Sequence, residues 1–267
     1  MLTSGLHCLE AMRAEDMPAK DASREEVPPQ ACRWRRLATT LGIAWSLGVA
    51  CLGAAGPAGA QIAPTAAEAA GYGDLHAAAW RGDAAAISQL LAGGASPDAR
   101  DGHGRTPLHV ATFKGHHDAV RALVAGGADT GALENDRYDA VTIAAVADDE
   151  DTLRLLLSLG ASAGLVTSRY DGTALIAAAH LGHDGVVRQL IGAGAPLDHV
   201  NNLHWTAVIE SIVLGDGGQR HQATLQALIR AGADLGLADR SGSTPLALAK
   251  GRGYADMVRM LETAGAK

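Results

Sequence analysis

The 267-residue sequence predicts an all-α solenoid of about six helix-turn-helix rows joined by short β-hairpin loops, and three observations predict it. From Gly71 onward the chain falls into rows of about 33 residues, with Gly-Ala pairs beginning at Gly94, Gly127, Gly160, Gly194, Gly232 and Gly265. These pairs lie 33, 33, 34, 38 and 33 residues apart, a regularity that mere Gly/Ala richness would not keep. Between them apolar residues recur at helical spacing, as in Ile87, Leu90, Leu91 and Val120, Leu123, Val124, so each row carries a stripe that only a neighbouring row can cover. Aromatics are 3% of a chain that is 48% hydrophobic, so the core must be built from Ala, Leu, Val and Ile, small enough for close helix stacking.

The first sixty residues read as an address. Cys32-Arg33-Trp34-Arg35-Arg36 is followed by an apolar stretch from Leu37 to Gly53 and then by Ala58-Gly59-Ala60. A positive end, an apolar middle and small residues at −3 and −1 are the parts of a secretory signal peptide, with cleavage expected after Ala60. Residues 1–60 are therefore expected to be removed, residues 61–70 to form a linker and N-cap, and residues 71–267 to form the solenoid. Its rows are expected near 71–100, 101–133, 134–167, 168–200, 201–238 and 239–267. The expected destination is the periplasm; alternatives are an anchor through residues 37–60, a lipoprotein modified at Cys51, or release from the cell. Cys8, Cys32 and Cys51 all precede the cut, so the mature chain would have no disulfide, thiol nucleophile or cysteine-ligated metal.

Within the rows, Thr65 to Glu68 has capping-box spacing and predicts a short helix ahead of row 1. Thr106 can cap the first helix of row 2 with Pro107 at its first position, and Thr244-Pro245 repeats this in row 6. Gly82, Gly115, Gly182, Gly215 and Gly253 are placed to make the left-handed turn between the helices of a pair. Row 3 has Asp139-Ala140 in place of Thr-Pro and Asp148-Asp149 in place of Gly-His, and row 5 carries five extra residues within Asp216 to Gln222, expected in the turn. Arg259, Glu262 and Lys267 give the last row a polar outer side.

Thr106-Pro107-Leu108-His109-Val110-Ala111, the period near 33 and the Gly-Ala turns resemble the ankyrin repeat over residues 71–267. The resemblance implies a protein-binding module with partners docked along the hairpin tips and the concave face of the first helices. Projected onto this chain, those places hold His103, Arg105, Tyr138, Arg169, Tyr170 and Trp205 on the hairpins. They hold Trp80, Arg81, Phe113, Lys114, His180 and Leu181 near the ends of the first helices. Seven aromatic residues follow Gln61, and five of them, Trp80, Phe113, Tyr138, Tyr170 and Trp205, fall in these places. Exposed rings anchor interfaces, although the same rings would serve equally as packing between rows. Arg105, Arg137 and Arg169 could add bidentate contacts to carboxylates.

Charge and chemistry narrow the function. Six acids and six bases precede Gln61, against 23 and 16 after it, so the net charge of −7 belongs to the repeat region. An acidic surface repels phosphate backbones, and no nucleic acid partner is expected. His76 and His109 occupy the motif's own histidine position, and His116 and His183 follow the inter-helix glycine. His180 with His183 and His116-His117-Asp118 lack third and fourth ligands at a known spacing. Asp148-Asp149-Glu150-Asp151 reads as the acidic start of a second helix. With no phosphate loop or nucleophile elbow, the expectation is a monomeric, non-catalytic binder of another protein that uses no cofactor and touches no membrane beyond its export signal. The alternatives are a secreted effector acting on a target outside the producing cell and a metal-dependent enzyme.

Overall fold

In the computed structural model, which describes residues 61–267, the first helix is set by Thr65. Its hydroxyl accepts the Glu68 N–H at 3.2 Å while the Glu68 carboxylate takes the Thr65 N–H at 2.7 Å. This reciprocal box holds the short helix α1 (Ala66–Ala70). Six helix pairs follow: α2 (Asp74–Arg81) with α3 (Ala84–Ala92), α4 (Pro107–Phe113) with α5 (His117–Ala125), and α6 (Ala140–Val146) with α7 (Glu150–Ser158). The remaining three are α8 (Ala174–Leu181) with α9 (Asp184–Gly192), α10 (Ala207–Val213) with α11 (Gln219–Ala231), and α12 (Pro245–Arg252) with α13 (Ala255–Thr263). The export signal lies outside the described residues.

The first helices start where short polar side chains can take an otherwise unpaired N–H. Thr106, Thr173, Thr206 and Thr244 each accept from the residue three ahead, and in row 3 Asp139 does the same for Thr142. The pairs turn through Gly82, Gly115, Gly182 and Gly253 at φ of 73°, 64°, 68° and 72°. Row 3 has no glycine there, and Asp148 takes the left-handed conformation at φ 57°, at a cost of roughly 1–2 kcal/mol. Its carboxylate is bonded to Arg220 at 2.7 Å.

Two expectations need correction. In row 5 the left-handed turn moves from Gly215 to Gly217, at φ 70°. The extra residues do not all stay in the turn, because α11 has 13 residues where the other second helices have nine; Gln219 to Gln222 join the helix. The loops between rows are not β-hairpins: among the described residues there is no strand, only one isolated bridge between Thr167 and Gly172. In four of the five loops a carboxylate or amide accepts a loop N–H, and in the loop at Thr167–Gly172 the Ser168 hydroxyl accepts the Tyr170 N–H at 3.2 Å. Asp101 accepts the N–H groups of His103 and Arg105 at 2.8 and 2.9 Å. Asn201 does so for Leu203 and Trp205 at 3.0 Å, and Asp239 for Ser241 and Ser243 at 2.9 Å. Loops of successive rows are joined by Asn135 N–H to His103 O, Ser168 N–H to Arg137 O, and Asn202 N–H to Tyr170 O.

The first helices pack in series from α2 to α12, the second helices in series from α3 to α13, and each first helix packs on its own second helix. Ala78, Ala79, Ala111, Ala144, Ala145, Ala178 and Ala179 are buried and let the backbones approach. The apolar stripe of the second helices, including Ile87, Val120, Leu123, Leu153, Leu156 and Leu190, is fully buried between rows and supplies most of the stabilisation.

Candidate binding surface

Each second helix covers one side of its first helix. Away from it, exposure is confined to the ends of the first helices and the loops that lead into them, since the bodies of α4, α6 and α10 are buried; these ends and loops together are the open side. Trp80, Phe113 and Val146 stand at equivalent places two residues before the inter-helix turn and are half-buried, while Arg81 and Lys114, one residue later, are exposed. The Lys114 ammonium lies 4.4 Å from the centre of the Trp80 ring, a cation–π contact that ties rows 1 and 2 on this side. Leu181 is half-buried at the end of α8, and His103 is exposed on the first loop, where it pairs with Glu68 at 2.7 Å.

Three residues expected on the surface are inside it. Arg105 is 1% exposed. Its guanidinium is bonded to Asp101 at 2.7 Å, to Glu68 at 3.3 Å and to the Ile62 carbonyl at 3.1 Å, so it pins the N-terminal cap to the first loop. Tyr138 fills the same slot one row later and is 5% exposed; loss of solvent pushes its hydroxyl up to about 12, with Asp136 adding to the effect. Both have their own N–H taken by the loop acid, Asp101 for Arg105 and Glu134 for Tyr138 at 3.0 Å, and both side chains are buried. His180 is 7% exposed and its Nδ1 lies 3.3 Å from the Glu210 carboxylate.

The middle loops are braced rather than loose. Arg169 pairs with Asp136 and Arg137 with Asp171, both at 3.0 Å, a reciprocal clamp between rows 3 and 4. Tyr170 and Trp205 remain half-exposed beside it. Beneath Trp205 runs a buried polar chain that the sequence reading missed: the Asn201 amide donates to Glu210 at 2.9 Å, and Glu210 meets His180. A signal was present, since Glu210 is the one charged residue in the helix Ala207–Val213.

The histidines serve the frame. His116 and His183 donate to the carbonyls of Trp80 and Ala145 at 3.1 and 2.9 Å, each closing the end of a neighbouring first helix. His221, within the inserted segment, does the same for His180 at 3.0 Å. His109 accepts the Thr106 N–H at Nδ1 and donates from Nε2 to the Ala132 carbonyl, at 2.9 and 3.0 Å. That arrangement fixes the neutral tautomer, and burial holds its pKa down to about 4. Asp149 caps α7, Asp151 pairs with Arg154, and Glu150 accepts from Gln189. Among the described residues no three His, Cys, Asp or Glu side chains gather to hold a metal ion.

A family model described as ankyrin repeats in three copies matches residues 75–167, and a single ankyrin repeat model matches 170–202. A solved ankyrin repeat domain from Acinetobacter baumannii AYE is 42% identical with a TM-score of 0.68, spanning 72% of this chain and 98% of that domain. The chain belongs to the ankyrin-repeat family. The ankyrin repeat domain of Bcl-3, a member of the IkappaB family, is similar at 30% identity and a TM-score of 0.66, over 74% of this chain and 88% of its own. The ankyrin repeat protein YahD of Escherichia coli K12 is 38% identical over 100 residues, which is 37% of this chain and 50% of YahD. This ankyrin chain thus matches about half the length of that curated relative. Ankyrin repeats generally act as protein-interaction scaffolds, and the fold is typically non-catalytic.

Proposed function

We propose that this chain is an exported, monomeric, non-catalytic scaffold that binds another protein across the first helices and loops of its middle rows. The observation that carries the reading is the loop from Asn201 to Trp205. Buried Asn201, held by Glu210, takes the N–H groups of Leu203 and Trp205, so the loop has its shape before any partner arrives. A half-exposed Trp on a pre-shaped loop is an efficient anchor, because little side-chain and loop entropy remains to be lost on binding. Tyr170, Phe113 and Trp80 extend the same side, with Arg81, Lys114, Arg169 and Leu181 around them.

Two further points support the reading. The ionisable groups of the described residues are largely taken up by caps, loop closure and row-to-row pairs, which leaves no acid–base pair facing a water-excluding cleft. Export is supported by the basic, apolar and small-residue segments before Gln61.

Substituting both Tyr170 and Trp205 by Ala is expected to weaken partner capture while thermal stability stays nearly unchanged. Unaltered capture would overturn the assignment of the face. Intact mass of protein from the host's periplasm should match a chain starting at Gln61; uncleaved chain in the cytoplasm would overturn export.

A further inference from the structure

The 16 basic and 23 acidic residues after Gln61 are not evenly mixed. On the second-helix side Arg154, Arg188, Arg220 and Arg259 each hold a carboxylate, from Asp151, Asp184, Asp148 and Asp256 in turn. Only Arg121 and Arg230 on that side are exposed without a carboxylate partner among the described residues, and the open side has more such cations. Arg81, Lys114 and Arg252 occupy one equivalent place at the ends of α2, α4 and α12, and Arg100 and Arg240 occupy the loops; all five are exposed. Arg100 bonds only the carbonyls of Gly104 and Leu133, Arg240 the carbonyl of Asn202, and Lys114 stacks on Trp80. Among the described residues none of the five is joined to a carboxylate.

The acids of the loops on this side are already engaged. Asp101 and Asp239 turn inward to close their loops, Asp136 and Asp171 hold Arg169 and Arg137, and Glu210 is buried on Asn201. An acidic protein therefore presents one side with a cationic surplus, concentrated in rows 1, 2 and 6. Between those ends the loop cations Arg137 and Arg169 are neutralised by Asp171 and Asp136, and apolar side chains stand exposed beside them. Apart from Ile62, the large apolar side chains most exposed among the described residues are Val166 and Val200, at 39% and 43%, which precede the loops of adjacent rows. Leu203 and Trp205 stand half-exposed on the next loop.

We infer that the partner presents an extended peptide segment with apolar side chains in its middle and carboxylates at both ends, laid along the open side from α2 to α12. The inference rests on the proposal that this side is the docking face. Five steps between neighbouring first helices, at about 8–10 Å each, span roughly 40–50 Å, which an extended chain covers in about 12–15 residues. Uncompensated cations favour carboxylates arriving from a partner and steer their approach, while the apolar centre rewards burial that a uniform polyanion such as nucleic acid cannot offer.

The test is selection of a displayed library of random peptides, somewhat longer than this span, on the full chain. The enriched peptides are expected to carry Asp or Glu on both sides of an apolar centre. The Arg81→Glu/Lys114→Glu variant should bind the strongest of them about tenfold more weakly, and Arg121→Glu/Arg230→Glu, on exposed second-helix positions, should bind them unchanged. Neutral or basic winners, acidic winners indifferent to the first variant, or a single-stranded oligonucleotide that displaces them all, would overturn the inference and leave the docking face standing. Enrichment of no peptide at all would overturn the proposed function as well.

Discussion

Lowering the pH from about 8 to about 5 probes how His109 is held, through the linkage between proton binding and stability. Its ring is 1% exposed and locked as the neutral tautomer between Thr106 and Ala132, and burial lowers its pKa from 6.5 to about 4. Between those two values the unfolded chain binds the proton and the folded chain does not. Stability is therefore fully present above 6.5 and is lost as the pH falls through about 4. The gap corresponds to roughly 3 kcal/mol when fully expressed, of which about 2 kcal/mol is already lost at pH 5. His183 is shifted the same way by burial, so the contribution must be isolated by a variant. His109→Gln keeps an amide donor for Ala132 and removes the titration. In urea unfolding at both pH values, the wild type should lose about 2 kcal/mol more than the variant. Equal losses would refute the buried, neutral assignment.

Tyr138→Ala, at a buried slot, is expected to cost about 3–5 kcal/mol, against about 1 kcal/mol or less for Tyr170→Ala; denaturant midpoints separate the two. Arg105→Ala removes the partner of a buried Asp101 and the contact to Ile62, at a cost of about 3 kcal/mol, and hydrogen exchange should accelerate first at residues 62–72. The Asp101 carboxyl is raised by burial but lowered further by Arg105, two loop N–H groups and Tyr72. Its contribution is thus present above the ordinary carboxylate range and lost as the pH falls below it, and Arg105→Ala should shrink that acid-side loss. Gly104→Ala places a methyl group at φ 73° against the Asn135 amide and is expected to cost about 1–3 kcal/mol, read as a lower Tm.

Much of the frame was legible because it rests on local rules. The Thr65 box, the Thr106-Pro107 start and the left-handed Gly82, Gly115, Gly182 and Gly253 each need only a few neighbouring residues to be recognised. The spacing of Ile87, Leu90 and Leu91 showed which stripe would be covered. The site was less legible because exposure there depends on a rotation that sequence does not carry. Arg105 and Tyr138 look like surface residues by type and by loop position and are buried, whereas Trp205, with the same N–H capture in the same slot, stays half-exposed, so the loop pattern alone does not set which way the side chain turns. The Gly215 turn moved to Gly217 because extending α11 by a turn satisfies more backbone groups than a longer loop does. Asn201 and Glu210 went unnoticed because they are far enough apart in the chain to look unrelated.

The most direct test of the central claim places a photo-crosslinking amino acid at position 166, exposed beside the loops on the open side, or at position 188 on the second-helix side, in the chain expressed in its own host. A discrete crosslinked protein at position 166 and none at position 188 is the outcome expected for a scaffold that docks its partner along the first helices and loops. The reverse pattern, or no adduct from either position, would contradict it.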